Sequence, residues 1–214
     1  MNKFAVVEEH HRILPFWAAS PAETVISLDF HTDTLPAFLR FIQHGGVPPG
    51  FSADPATVAE NLQYLRHDEH FDYALKSGIV NSITLISHFN FTASVPDGLT
   101  IHVPDEVQNL RECDVNLLAE EFFHRADKMA ESDFLSNKLA ALPEKPYILD
   151  IDLDYFVTRR SLHPENPDFF VALLRHAEFI TFSMEREWVK ILSRPEDHLT
   201  SECILGELLR LLEQ

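Results

Sequence analysis

Short apolar runs alternate along the chain with longer stretches in which apolar side chains recur every three or four residues. Each short run is nearly all apolar, which is typical of parallel strands buried on both faces. The strands predicted from these runs span residues 4–8, 25–30, 82–88, 147–152 and 179–183. The helices predicted between them span residues 10–19, 35–43, 54–64, 68–77, 115–129, 167–177 and 199–212. This alternation predicts βαβ units, and therefore an α/β protein in three layers with helices on both sides of a mostly parallel sheet.

Turn-forming residues separate these elements and support several of their ends. Asp54 and Pro55 suit the N-cap and first position of a helix, and Gly78 follows a helix predicted to end at Lys76. Residues 40–54 are rich in glycine and proline and are expected to form a surface loop. Residues 92–111 hold an apolar run at 99–103 between turn residues, which favours a loop with an additional edge strand. The sequence shows no domain boundary, so it predicts a single domain over residues 1–214.

The composition narrows the classes of function. The 214 residues are 45% hydrophobic, enough to bury a sizeable core, and the net charge of −17 argues against a nucleic-acid-binding face. An acidic chain suits metal cations or a cationic substrate better, although acidity is also common in proteins that only need to stay soluble. Cys113 and Cys203 form neither a disulfide framework nor a thiolate metal motif. Because Glu8 and Glu9 interrupt the first apolar run too early for a signal peptide, and no run approaches the ~20 apolar residues of a membrane span, we expect a cytoplasmic protein.

The first candidate site follows the predicted strand 25–30. There the apolar run ends in an Asp-x-His-x-Asp pattern formed by Asp29, His31 and Asp33. Side chains two and four residues apart share a face of an extended chain, so these three can converge if the strand continues or bends slightly at its end. The carboxyl ends of strands are also where open α/β sheets bind their ligands.

The second candidate site follows the predicted strand 147–152, where Asp150, Asp152 and Asp154 alternate with apolar residues. Carboxylates this close repel and raise one another's pKa unless a cation neutralises them. One such run could be the polar side of a half-exposed strand, but two runs that follow apolar strands favour a metal site. Carboxylates and imidazoles without thiolates suit Mn²⁺ or Mg²⁺, and the imidazole favours Mn²⁺, with Fe²⁺, Co²⁺, Ni²⁺ or Zn²⁺ as alternatives.

Together these motifs resemble the binuclear manganese site of the arginase and agmatinase superfamily. The resemblance implies a shortened arginase/deacetylase-like fold that binds two Mn²⁺ ions. It also implies that Asp29 and Asp150 bridge the two ions. Asp33 then completes one site, and His31 with Asp152 completes the other.

The superfamily's remaining ligand is a histidine that follows an earlier strand, where this chain has His10 and His11. Residues 7–16 and 149–156 are similar to a little-characterised arginase-like family that includes peptide arginases. In its pattern a histidine directly follows an acidic pair, which implies that His10 is the ligand and that His11 lies behind it or at the surface. The alternative for this pair is a solvated helix start. The resemblance covers the first 90 residues and residues 147–185, and it is strong at the motifs and weak between them.

The chain also departs from arginases. It is shorter, Glu8 and Glu9 replace the glycine pair before the histidine, and the second motif does not end in Asp-Pro. Asp154 could therefore replace Asp152 as a ligand or lie behind the ligands. The loops that bind the α-amino and α-carboxyl groups of free arginine are not recognisable, which favours a substrate without those groups.

Hydrolysis of a guanidinium group also needs a proton carrier and a carboxylate partner for the cation. His88, at the end of the predicted strand 82–88, is the preferred proton carrier, with His44 and His70 as rivals. Arginases bind the guanidinium with a carboxylate after a late strand, where Glu185 is preferred over Glu187. The cluster at 68–70 is a further polar group that could reach the site. The alternative for each of these residues is a purely structural role, such as helix capping.

The resemblance implies a peptide arginase, which converts peptidyl arginine to peptidyl ornithine and urea in ribosomally made peptides. The expected partner is an arginine-containing precursor peptide, with no nucleic acid or membrane, and the oligomeric state is open, a homo-oligomer included. The first alternative is a metal-dependent amidohydrolase, deacetylase or agmatinase-like enzyme for a small amidine or amide, since fold does not fix substrate. The second is a non-catalytic metal-binding module, whose coordination would be closed to water.

Overall fold

The computed structural model describes residues 3–90, 92, 94–105 and 119–213. These residues form a six-stranded sheet in which every neighbouring pair of strands is parallel. The strands are β1 (Lys3–Val7), β2 (Thr24–Asp29), β3 (Ser82–Ser87), β4 (Leu99–His102), β5 (Ile148–Asp152) and β6 (Phe179–Ser183). Their order across the sheet is β1-β6-β5-β2-β3-β4.

Helices connect the strands. The α-helices are α1 (Leu14–Ala18), α2 (Leu39–Gln43), α3 (Pro55–Asn61), α4 (His70–Lys76), α5 (Ala119–Ala126), α6 (Ser132–Leu139), α7 (Asp168–His176), α8 (Arg186–Leu192) and α9 (Ser201–Glu213). Short 3₁₀ helices lie at His10–Ile13, Leu62–Tyr64, His67–Glu69, Leu153–Tyr155 and Pro195–Asp197. In the described part of the chain, none of the helices has both the length and the apolar character that crossing a bilayer requires.

The two faces of the sheet are covered by different helices. Successive side chains of a strand point to opposite faces, so Val25 and Ile26 enter two separate cores. The core around Val25 includes residues of α1, α3 and α4, and the core around Ile26 includes residues of α6, α7 and α9. The result is the three-layer α/β arrangement expected from the sequence.

The order of the strands creates a crevice between β2 and β5. From β2 the chain continues to β3 on one side, whereas from β5 it continues to β6 on the other. Connections that diverge in this way leave a gap above the carboxyl ends of the two central strands, where α/β proteins bind ligands. Asp29 ends β2 and Asp152 ends β5, so both border this gap.

All five predicted strands are confirmed to within one residue at each end, and the predicted edge strand is β4. The sheet is wholly parallel rather than mostly parallel. The predicted cap is also confirmed, because the Asp54 carboxylate accepts a hydrogen bond from the Thr57 N–H at the start of α3. Gly78 adopts the left-handed conformation (φ 69°) just past α4.

Several helix predictions were wrong. Residues 35–38 are not helical, because the Leu35 N–H donates to the Asp68 carbonyl and Phe38 takes a left-handed conformation (φ 63°) just before α2. The helix predicted over 115–129 is present as α5, with residues 115–118 outside the described range. The sequence missed α6, which begins Ser132-Asp133 and so holds weak helix formers in its first turn. It also missed the short α8.

Candidate metal centre

Two rows of polar side chains cross the centre of the sheet on one face. Ser27, Asp150 and Thr181 are aligned on β2, β5 and β6 and form the first row. Asp29 and Asp152 lie two residues further along β2 and β5. They therefore share this face and lie nearer the carboxyl ends of the strands. The carboxylates at the strand ends thus meet at the crevice, while Asp150 lies one step deeper in the sheet.

His10 lies above these two rows. It begins the 3₁₀ helix after β1 and is fully buried. Its Nε2 lies 2.8 Å from Asp150 Oδ2. Its Nδ1 lies 3.1, 3.3 and 3.4 Å from the Oδ2 atoms of Asp152, Asp33 and Asp29. One imidazole nitrogen therefore faces three carboxylates at once.

A second donor group adjoins the first. His31 Nδ1 lies 3.2 Å from Asp154 Oδ2 and 4.0 Å from Asp29 Oδ1. Asp29 belongs to both groups, with one oxygen toward His10 and the other toward His31. Ligand atoms close enough together to surround one ion are found in His10, Asp29 and Asp152 and in Asp29, His31 and Asp154. Asp33 forms a further group of this kind with His10 and His70.

Backbone N–H groups hold one oxygen of several of these carboxylates and leave the other for a ligand. Asp29 Oδ1 accepts from the His31 N–H at 2.8 Å, and Asp154 Oδ1 accepts from the Phe30 N–H at 3.3 Å. Within the described residues, His10 Nδ1, Asp29 Oδ2 and Asp154 Oδ2 are buried without any hydrogen-bond partner. Buried polar atoms without partners are costly, and atoms of this kind that converge from several directions fit divalent cations.

The electrostatics of these side chains also suit a bound cation. Burial raises the pKa of Asp29 to about 7, with the Asp33 charge acting in the same direction. Burial and the neighbouring Asp154 raise the pKa of Asp152 well above its usual value. Burial favours neutral His10 and His31, yet the surrounding carboxylates raise the pKa of His10 well above 6.5 and that of His31 to about 10. Protons and a bound metal ion would therefore supply the same positive charge to these carboxylates.

Mn²⁺ is therefore expected to stabilise the protein more at high pH than at low pH. The pKa of Asp29 is raised from 3.8 to about 7 on folding, so the stability of the metal-free protein falls as the pH rises through that interval. His10 acts in the same direction, because a raised histidine pKa stabilises the fold at low pH and loses this effect as the pH rises through the folded value. A divalent ion replaces these protons. Thermal unfolding should show a larger Mn²⁺-induced rise in Tm at about pH 8 than at about pH 6, and an equal or smaller rise at the higher pH would contradict this account.

Asp150 contacts His10 but differs from the other predicted ligands in its hydrogen bonds. The structure brings together His10, Asp29, His31, Asp33 and Asp152, and adds Asp154 to them. Both oxygens of Asp150 are instead occupied by hydrogen bonds from protein groups. Its prediction as a bridging ligand therefore receives no support from its position, because the carboxylates at the strand ends are those of Asp152 and Asp154.

The three candidate proton carriers lie in different surroundings. His88 is fully buried with its Nε2 2.8 Å from the Tyr155 carbonyl, its ring stacks on Phe30, and burial lowers its pKa to about 4. The His88 side chain is therefore enclosed by protein groups, and its position gives no support to a role as proton carrier. His44 is exposed on the loop after α2. His70 is adjacent to His10, with ring centroids 4.2 Å apart, but it is fully buried and burial holds its pKa well below 6.5.

The two candidate guanidinium partners, Glu185 and Glu187, differ in their position relative to the donor groups. Glu185 Oε1 accepts a hydrogen bond of 2.8 Å from the His10 N–H, which holds this carboxylate next to the donor groups. Glu185 adopts a left-handed backbone conformation (φ 36°), a strain of the kind that persists at functional sites. Burial raises its pKa. Glu187 is exposed on α8. The position of Glu185 therefore fits the preferred guanidinium partner better than that of Glu187.

A cavity of about 740 Å³ opens beside the donor groups. His31 and Asp33 line it, so it connects directly with both groups. Among the further lining residues are His67 and Trp188, which the sequence motifs did not identify. His67 directly precedes the polar cluster 68–70, which was the available signal. Trp188 lies on the unpredicted α8, with its ring centroid 5.0 Å from that of His31.

No protein-family model matches the chain, and no curated protein sequence does. One solved structure of similar shape is proclavaminate amidino hydrolase from Streptomyces clavuligerus, with a TM-score of 0.48 and 15% sequence identity. The match covers 99% of this chain and 64% of that protein, so this chain spans less than two thirds of its length. A likeness of this degree carries no argument about chemistry.

Proposed function

We propose that this protein is a binuclear metal-dependent hydrolase that converts peptidyl arginine to peptidyl ornithine and urea. The observation that carries the proposal is the pair of donor groups that share Asp29 at the carboxyl ends of β2 and β5. Their partnerless buried atoms fit two divalent cations, as the resemblance in the sequence implies.

The positions of the side chains favour a modified ligand set. His10 Nδ1, Asp29, Asp33 and Asp152 would hold one ion, and Asp29, His31 and Asp154 would hold the other. Asp152 would then belong to the first ion only, so it would not take over the bridging role that the resemblance implied for Asp150. Asp154 would take the role beside His31 that the resemblance implied for Asp152. Imidazole with several carboxylates suits Mn²⁺, and divalent ions at such a site supply Lewis-acid activation of water at neutral pH.

The residues of the chain would bind and orient the substrate. Glu185 offers a carboxylate beside the donor groups, where it can pair with the planar guanidinium of an arginine side chain. Trp188 gives an aromatic wall next to His31, on which a cation or its aliphatic stem can pack. Cleavage of the guanidinium carbon–nitrogen bond by water then leaves the δ-amine of ornithine on the peptide and releases urea.

Proton delivery to the leaving amine is assigned to His67 rather than to His88. Of the histidines among the described lining residues, His31 belongs to a donor group and His67 does not. A general acid must reach the reacting group, and the cavity is where the substrate would lie. His67→Asn should lower kcat while leaving bound metal unchanged, with His44→Asn as the exposed control. A His67→Asn variant with the full wild-type kcat would show that another residue delivers the proton.

The cavity favours a peptide over free arginine. Its volume lies within the range of sites that enclose ligands of several functional groups. Hydroxyl groups in its wall can form hydrogen bonds with a neutral peptide backbone. These hydroxyl groups belong to Thr32, Thr34, Thr92 and Ser94. Among the described lining residues, Arg40 alone has the positively charged side chain of a lysine or arginine. It already forms an ion pair with Asp68, so it is not reserved for the α-carboxylate of free arginine.

Urea release provides the test. Mn²⁺-loaded protein would be given an arginine-containing peptide, free arginine, agmatine and an acetylated amine in parallel. The proposal predicts urea from the peptide and little from free arginine or agmatine. Urea mainly from free arginine would contradict the peptide specificity, and release of acetate without urea would establish the amidohydrolase alternative. Bound metal without turnover of any substrate would favour the non-catalytic module.

A further inference from the structure

Asp150 is the centre of a buried hydrogen-bond chain that the proposed chemistry does not use directly. Its side chain is fully buried. Thr181 Oγ1 donates to Oδ1 at 2.6 Å, Ser27 Oγ donates to Oδ2 at 2.7 Å, and His10 Nε2 lies 2.8 Å from the same Oδ2. Trp17 Nε1 in turn lies 3.2 Å from Thr181 Oγ1.

The donor and acceptor of each hydrogen bond between Trp17 and His10 can be assigned from the chemistry of the groups. The indole N–H of Trp17 can only donate, so Thr181 accepts from it and uses its own hydroxyl hydrogen toward Asp150. Both oxygens of Asp150 already accept from hydroxyl groups, so His10 Nε2 is the donor toward Oδ2. With the Nε2 hydrogen used toward Asp150, Nδ1 is the His10 nitrogen that could offer a lone pair to a metal ion, on the side of Asp152 and Asp33.

We infer that Asp150 is a positioning residue that fixes the tautomer and orientation of His10, and that it is not a metal ligand. The inference rests on the proposed function, because Nδ1 of His10 is taken there as a ligand atom. A carboxylate that accepts from the far nitrogen of a ligating histidine holds the ring and makes it a better donor. The three alternating aspartates of the second motif therefore divide their roles: Asp150 orients, whereas Asp152 and Asp154 bind.

The alignment of neighbouring strands explains why Asp150 can orient His10 whereas Asp152 cannot. Asp150 is aligned with Ser27 and Thr181 on the neighbouring strands, so both hydroxyl groups lie within reach of its oxygens. Asp152 is aligned with Ser183, whose Oγ has no hydrogen-bond partner among the described residues. The Oδ2 of Asp152 therefore remains directed at His10 Nδ1.

The test compares Asp150→Asn with Asp152→Asn in calorimetric titrations with Mn²⁺. Asp150→Asn is expected to bind two ions, the one beside His10 about 10- to 100-fold more weakly than in the wild type. Asp152→Asn is expected to lose at least one ion. In Zn²⁺-loaded protein, nitrogen NMR should find the His10 proton on Nε2 in the wild type and a weakened preference for that tautomer in Asp150→Asn.

Each outcome decides a different claim. Loss of an ion from Asp150→Asn, matching Asp152→Asn, would overturn the positioning role and leave the metal hydrolase standing. A wild-type protein that binds no metal would overturn the proposed function and this inference with it. If Asp150→Asn does not fold, Ser27→Ala and Thr181→Val each remove one donor to Asp150. Two bound ions with severalfold weaker affinity in these variants would support the inference, and unchanged affinity in both would contradict it.

Discussion

Asp29→Asn is expected to bind at most one metal ion and to lose almost all hydrolytic activity. Asp29 is the residue that both donor groups share, and its two oxygens face His10 and His31 separately. An amide has one acceptor oxygen and no charge, so it cannot serve both ions. If metal activation contributes about 4 kcal/mol to the transition state, kcat should fall by about 1000-fold.

Metal analysis and urea release on the same samples would measure both effects. Asp54→Asn is a suitable control, because Asp54 is exposed at the start of α3 and asparagine also caps helices well. This control should keep two ions and the full rate. An Asp29→Asn variant that holds two ions and retains most of its activity would refute the shared role of Asp29.

Glu185→Gln is expected to lower kcat/KM for an arginine peptide by about 30- to 150-fold without loss of metal. The substitution removes the charge that pairs with the guanidinium, and a hydrogen bond to a charged group is worth about 2 to 3 kcal/mol. Glutamine keeps an acceptor oxygen for the His10 N–H, so the position of His10 should be retained.

The neighbouring Glu187 gives a matched control for this experiment. It lies two residues along the chain and is exposed, so Glu187→Gln should leave kcat/KM unchanged. Equal effects of the two substitutions would show that general negative charge, rather than a bound guanidinium, explains the result. Loss of metal from Glu185→Gln would show that Glu185 supports the donor groups instead.

The fold was largely predictable because its main signal is local. A nearly continuous apolar run followed by turn residues identifies a buried parallel strand, and each predicted strand is present. The helical boundaries were less predictable where tertiary contacts decide the conformation. The Asp68 carbonyl binds the Leu35 N–H and holds that segment outside α2, and no local pattern shows this contact.

The candidate site was predictable to the level of its motifs but not of each ligand. Asp150, Asp152 and Asp154 follow the same two-residue period, so the sequence cannot tell which of them reaches the open end of the sheet. That depends on the alignment of β5 with Ser27 and Thr181 in its neighbours. His67 and Trp188 reach the cavity through segments far from either motif.

The position of His88 could have been predicted by a stricter use of strand periodicity. Asp29 is aligned with Ser87 on β3, so Ser87 shares the face of the candidate ligands. The next residue along a strand points to the opposite face. His88 accordingly enters the aromatic cluster around Phe30 and Phe122.

The most direct test of the binuclear site is an anomalous diffraction map from crystals of the Mn²⁺-loaded protein. The account predicts two manganese peaks about 3.5 to 4 Å apart at the carboxyl ends of β2 and β5. One peak should contact His10 Nδ1, the other His31, and both should contact Asp29. A single peak, or none at these residues, would contradict the account.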